Sequence, residues 1–322
     1  LIKVVGTLRR AVAQGTEHFL KGKYMVQEAQ QALYDFQPQH EFFVGIDSDG
    51  CVFNSMEVKH NDCFSVNLVK HFGLASISRQ VHQAWDFVNL YSTTRGTNRF
   101  KAILLVCDFL RKMPLVRNMG VAVPGLSHLR EWSETETKLG NPALQAAIDS
   151  ATGERLDELS QVMEWSLGVN ESVAEIVYNL PPFPGVRETL QRLQGKADVI
   201  VVSATPDEAL IREWAEHEID AYVALIAGQE MGTKTEHLTI TTKDRYPENH
   251  VLMLGDSPGD LKAARDVGAL FFPVNPGSED TSWQLFLDEA MDKFFNGQYA
   301  GAYEDALIDK FQELLPETPP WQ

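Results

Sequence analysis

Phe42-Phe-Val-Gly-Ile-Asp47-Ser-Asp49-Gly-Cys-Val-Phe53 is an apolar run that stops abruptly at an acid and meets a second acid two residues later. The run reads as a buried strand. Residues i and i+2 of extended chain share a face, so Asp47 and Asp49 can address one spot just beyond the strand. Gly50 allows the chain to turn at once. In an open α/β sheet, ligands gather outside the carboxyl ends of the strands, which is where this pair falls. A pair of acids in a turn is also common with no function at all.

Working outward, the next strand signal, Val199–Val202, comes about 150 residues later, and others follow quickly at Tyr222–Ile226, Val251–Leu254 and Ala269–Val274. Helical stretches such as Asp207–His217 and Leu261–Val267 separate them. Such alternation predicts a doubly wound parallel sheet, a Rossmann-like α/β core with helices on both faces. Between the first strand and the rest, Val58–Phe72, Ile77–Leu90, Asn98–Lys112 and Glu154–Leu167 carry apolar residues at spacings of three and four, so they read as helices. The predicted division is an N-terminal helical extension over 1–40 (helical around Met25–Phe36), a core formed by 41–56 and 183–275, an inserted all-helical cap over 57–182, and a C-terminal helical extension over 276–322. Pro181-Pro-Phe-Pro-Gly185 marks the return to the core.

Later strands deliver polar groups to the same edge. Leu254-Gly-Asp256-Ser-Pro-Gly-Asp260 runs from a strand into two acids at a helix entrance. Asp260 there also suits a helix first turn, whereas Asp256 follows a buried strand directly and calls for a cation or donor. Ser203-Ala204 ends another strand ahead of a helix, where a hydroxyl and free N–H groups suit an oxyanion or a simple cap. Lys234, in Gly232-Thr-Lys-Thr, lacks the Gly-Lys-Ser/Thr order of a Walker A loop.

Acid pair, hydroxyl, lysine and acid pair, in that order on four successive strands, resemble the haloacid dehalogenase superfamily of phosphotransferases and phosphatases. The resemblance covers Phe42–Ser55, about Phe183–Val274, and the placing of a helical cap between them; Asn54 departs from it, where relatives often have Asp. It implies a magnesium-dependent phosphatase of a small phosphorylated metabolite. Asp47 is then the nucleophile that forms an aspartyl-phosphate, and Asp49 the acid that protonates the leaving group. Asp47, Asp256, Asp260 and the backbone carbonyl of Asp49 form the Mg2+ site, while Ser203, Ala204 and Lys234 hold phosphoryl oxygens. An acid at Asp49 favours phosphate esters over carbon–halogen bonds, because an alkoxide needs a proton and a halide does not. Its carboxyl is expected to be raised by its anionic neighbours. In the cap, Thr93-Thr-Arg95-Gly-Thr-Asn-Arg99 is a loop entering a helix, and Arg95 and Arg99 suit either a substrate carboxylate or a solvated helix start. A phosphomutase, or a protein that binds a phosphometabolite without turning it over, would carry the same motifs.

Twenty-eight Lys and Arg against 45 Asp and Glu leave a formal net charge of −17, with a pI near 4.9. That balance speaks against nucleic-acid binding and against docking on anionic lipid. The three cysteines cannot form a disulfide framework and fit a cytoplasmic protein with reduced thiols. His60-x-x-Cys63, with Cys51 and His71, is too little for a zinc site and reads as cap packing. The tail aromatics Trp283, Phe286, Phe294 and Phe295 are expected to dock on the core, a homodimer interface being the alternative.

Overall fold

The computed structural model describes residues 30–321. Five parallel strands form one sheet: β1 (Phe42–Ile46), β2 (Ala197–Val202), β3 (Leu225–Ala227), β4 (Val251–Gly255) and β5 (Leu270–Pro273), in the spatial order β3-β2-β1-β4-β5. β1 lies at the centre, pairing Val44 with Val199 of β2 on one side and with Leu252 of β4 on the other. The order reverses on either side of β1, so helices cover both faces.

The period of two is visible in the core. Val44, Ile46, Val199, Val201, Leu252 and Leu254 face one apolar cluster, and Phe43, Ile200, Val202 and Met253 face the other. Both faces are buried, which is why these strands are nearly continuous apolar runs. The tail aromatics Trp283, Phe286 and Phe294 are buried within the first of these clusters. The helix Ala302–Glu313 closes the second through Ile308 and Phe311.

The segment between β1 and β2 is helical from Ser55 to Ile176 and has its own core, built around Trp85, Phe100, Leu129 and Trp165. Its first helix begins at Ser55–Val58, widens into a π turn over Lys59–Phe64, and resumes over Ser65–His71. Wide turns of this kind recur at functional sites.

Several expectations shift. The predicted strand Tyr222–Ile226 is displaced, because Asp220–Tyr222 forms a tight 3-10 turn and only Leu225–Ala227 pairs with β2. The predicted helix Glu154–Leu167 runs on to Ile176. The helices Pro114–Asn118, Ser127–Thr135 and Asn141–Asp149 are additional. Of the expected helix Met25–Phe36, residues 30–35 are helical, and the part before them lies outside the described residues.

Candidate active site

β1 ends by handing its ladder to the acid. The Asp47 N–H donates to the Leu254 carbonyl at 3.0 Å, so the main chain fixes Asp47 at the carboxyl edge of the central strand. Its side chain is buried. Oδ1 accepts the Ser48 N–H at 2.7 Å, and Oδ2 lies 2.7 Å from Lys234 Nζ. Burial pushes the Asp47 carboxyl well above the usual range; Lys234 opposes this, while Asp260 and Asp256 add to it.

Lys234 reaches the site from the first residue of the helix Lys234–Thr242, which a reciprocal cap between Thr233 and Glu236 anchors. Its ammonium also meets Asp260 Oδ1 at 2.6 Å. Burial would discharge it, but Asp260 and Asp47 outweigh burial and raise it above an ordinary lysine. Asp260 is wholly buried and plays a second part as capping acid, its Oδ2 accepting from the Ser257 N–H at 3.1 Å and the Ser257 hydroxyl at 2.7 Å. Gly255 makes this possible: a Cβ there would stand 2.4 Å from that of Asp260.

Asp256 is buried beside them, its carboxyl raised by burial, with Arg95 opposing and Asp260 adding to the shift. Asp47, Asp256 and Asp260 each offer an oxygen within 4.8 Å of the others'. Among the described residues this is the one such cluster of possible metal ligands. Oδ1 of Asp256 is buried and has no hydrogen-bond partner among the described residues. Three carboxylates against Lys234 and Arg95, with a buried oxygen left over, are a donor set that suits a hard divalent cation.

Asp49 corrects an expectation. Its carboxyl is not raised. Burial does push it up, but Lys59 outweighs burial, aided by Ser55 and Thr205, and holds it at about 2. Lys59 Nζ lies 2.6 and 2.7 Å from the two carboxylate oxygens, the Thr205 hydroxyl donates to Oδ2 at 2.7 Å, and the Ser55 hydroxyl donates to Oδ1. Asp49 is therefore an ionised carboxylate in a ring of donors. Glu213, 3.9 Å from Lys59, is pushed by burial up to about 7, with Lys59 opposing.

Ser203 and Ala204 follow β2 at the same edge. The Ser203 N–H donates to the Ala227 carbonyl at 2.9 Å and its Oγ accepts the Thr205 N–H at 3.3 Å. Arg95 and Arg99 part company. Arg95 is buried against Asp256, with Nε at 2.7 Å and Nη2 at 2.5 Å from Oδ2. Arg99 stays within the cap, donating from Nη1 to Asn170 at 2.7 Å and Ser166 Oγ at 3.1 Å, with its guanidinium 5.0 Å from the Phe64 ring centre. No carboxylate pairs with Arg99 among the described residues, and burial lowers it to about 10. Next to Lys59, His60 accepts the Trp85 indole N–H at 2.9 Å and stacks on Phe64, while Cys51 is part of the sheet core.

Sequence reasoning missed Lys59, Thr205 and Glu213 as members of the site. Thr205 stood two residues from Ser203 and was legible as a second hydroxyl at the same strand end. Lys59 and Glu213 sit on helices and carry no local signal.

Fold and site together define a capped α/β protein that gathers its acid chemistry at the carboxyl edge of a doubly wound sheet. Residues 130–274 match the model of the haloacid dehalogenase-like hydrolase family, and over that stretch the chain is similar to that family. The match takes in the later part of the cap and β2 to β5, and leaves out β1 with Asp47 and Asp49. No curated protein matches the chain. Among solved structures it is similar to a haloacid dehalogenase-superfamily hydrolase of subfamily IA from Geobacter sulfurreducens PCA, at 15% identity and TM-score 0.37 over 73% of this chain and 88% of that one. A predicted phosphoglycolate phosphatase from Haemophilus somnus 129pt is similar at 17% identity and TM-score 0.38, over 73% and 86%. A haloacid dehalogenase-like family hydrolase from Streptococcus pneumoniae is similar at 11% identity and TM-score 0.37, over 76% and 90%. Likenesses at such scores carry no weight beside the family match.

Proposed function

We propose that the protein is a magnesium-dependent phosphatase of a small phosphorylated metabolite, with Asp47 as nucleophile. The observation that carries this is the placing of Asp47 at the end of the central strand, 2.7 Å from Lys234 and within 4.8 Å of Asp256 and Asp260. A carboxylate so placed can attack phosphorus and form an aspartyl-phosphate, which water then hydrolyses. Lys234 holds the nucleophile and is charged for holding phosphoryl oxygens. A bound magnesium ion supplies the positive charge that offsets repulsion between carboxylate and phosphate; Asp47, Asp256 and the Asp49 carbonyl would hold it, with Asp260 behind them.

Asp49 serves both half-reactions in different states. Once it has given its proton to the leaving alkoxide, with Lys59 released, it is the carboxylate that takes the proton of the hydrolytic water. To protonate the leaving alkoxide it must first shed Lys59 and take up a proton. A dianionic ester, drawing Lys59 to its own oxygens, provides that release. Arg99, charged and without a carboxylate, is the cap group suited to an anionic or hydroxylated remainder of the substrate.

The test is phosphate release across a panel of phosphorylated metabolites, with magnesium and with a chelator. Steady release separates hydrolysis from return of the phosphoryl group to a sugar hydroxyl. Full activity under exhaustive chelation would overturn the cation site, and tight ligand binding without release would favour a binding protein.

A further inference from the structure

We infer that Arg95 is a positioning residue for the cation site, and that through it closure of the cap and binding of the cation reinforce one another. The inference rests on the reading of Asp47, Asp256 and Asp260 as a divalent-cation site.

Arg95 belongs to the cap and Asp256 to the core, 161 residues apart. Both are buried, at 5% and 2% exposure. The loop that presents the arginine is braced from within. The Thr94 hydroxyl donates to the Val88 carbonyl at 2.7 Å, the Arg95 N–H donates to the Ser92 carbonyl at 3.0 Å, and Arg95 Nη1 donates to the Leu90 carbonyl at 2.8 Å. The Thr93 N–H meets the Pro316 carbonyl at 3.4 Å, so the C-terminal tail supports the loop from behind.

A guanidinium facing a carboxylate usually spans both of its oxygens. Here Nε and Nη2 both fall on Oδ2, and Oδ1 is left buried with no partner among the described residues. A buried carboxylate oxygen with nothing to meet it is costly. A cation drawn to that oxygen removes the cost, and the arginine fixes the carboxylate plane so that Oδ1 is the oxygen presented. The loop after β1 is shaped around this pair. Gly50 has φ +75°, and a Cβ on it would stand 2.6 Å from Arg95 Nη2 and 2.6 Å from Asp256 Oδ2. Three separate parts of the chain thus meet at one carboxylate.

Coupling follows by linkage. The arginine reaches Asp256 only with the cap seated on the core, and a cation that fixes Asp256 favours the seated cap to the same degree.

The test needs no substrate. Magnesium alone is titrated calorimetrically into the native protein, Arg95→Ala and Arg95→Lys, and backbone hydrogen exchange of residues 91–97 is followed with and without magnesium chloride. The expected result is a ten- to hundredfold loss of magnesium affinity in Arg95→Ala. Magnesium should slow exchange in the 91–97 loop of the native protein several-fold and leave it unchanged in that variant. Arg95→Lys keeps the charge but not the fork; it should fold as native, which guards against a failure of Arg95→Ala to fold, and fall between the two in affinity. Native magnesium affinity in Arg95→Ala, or exchange in the native loop that ignores magnesium, overturns the inference alone. Absence of magnesium binding by the native protein overturns the cation site itself.

Discussion

Lys59 Nζ lies 2.6 and 2.7 Å from the two carboxylate oxygens of Asp49, ten residues before it in the chain. The first helix of the cap thus grips the acid that the central strand delivers. Opening the cap with this contact kept would drag Asp49 along, and losing the contact would free it.

Lys59→Met tests that grip. Asp49 has its folded-state carboxyl lowered to about 2, so the stability it contributes is fully present above its unfolded value, about 4, and is lost as pH falls through about 2. Without Lys59 the half-buried acid loses its cation, and the cost should fall below the roughly 3 kcal/mol of a broken buried pair because solvent screens part of it. Urea unfolding at neutral pH should show that loss. As pH is lowered from about 5, the variant should lose less stability than the native protein. Equal stability at neutral pH would show the pair to be energetically idle.

Asp47→Asn should fold as the native protein and release no phosphate, because a neutral amide is no nucleophile, although its oxygen can still accept from Lys234. Beryllofluoride, a mimic of the acyl-phosphate, should bind the native chain and not this variant. Turnover within tenfold of native would remove Asp47 from the role of nucleophile.

Asp256→Ala takes away the carboxylate with the unpartnered oxygen. Magnesium affinity should drop at least tenfold and phosphate release with it, excess metal restoring only part of the activity. The same variant leaves Arg95 buried without its carboxylate, so thermal unfolding should move down as well. Unchanged magnesium affinity would show that Asp256 does not bind the ion.

Arg99→Ala reads the cap's part in selectivity. A charge-assisted bond contributes about 1.5–3 kcal/mol, so kcat/KM for the best natural ester should fall about ten- to a hundredfold. Hydrolysis of p-nitrophenyl phosphate, which offers that arginine nothing, should stay near native. Equal losses on both esters would make Arg99 a residue of cap packing, consistent with its bonds to Ser166 and Asn170.

What was legible in the sequence is what strands make legible. Asp47 and Asp256 each stand where a continuous apolar run stops, and a strand end points its polar neighbours at the sheet edge whatever surrounds it. Lys234 could be placed by order alone. The partners of these residues could not. Arg95 looks like any arginine at a helix entrance, and nothing within the loop 91–97 says that its guanidinium reaches a carboxylate 161 residues away. Asp49 reads as a raised acid only while Lys59 is out of view, and Lys59 reaches it from the start of a π turn that helical spacing does not announce. The short cap helices escaped for a plainer reason: Pro114–Asn118 is a single turn or so, too brief for a periodic pattern.

The central place of β1 bears on how the chain is made. During synthesis this strand leaves the ribosome first, with both of its hydrogen-bonding edges open. Its neighbour β2 ends at residue 202, about 155 residues later, a wait of about 10–30 s at typical elongation rates. Over that interval Phe42–Ile46 is an apolar strand without neighbours, the kind of segment that invites mispairing. The helical body translated meanwhile has a core of its own and local contacts, so it can fold while the strand waits. The nascent chain thus carries a finished cap on an unfinished sheet, and a chaperone that shields one short strand near residue 44 would protect the whole molecule.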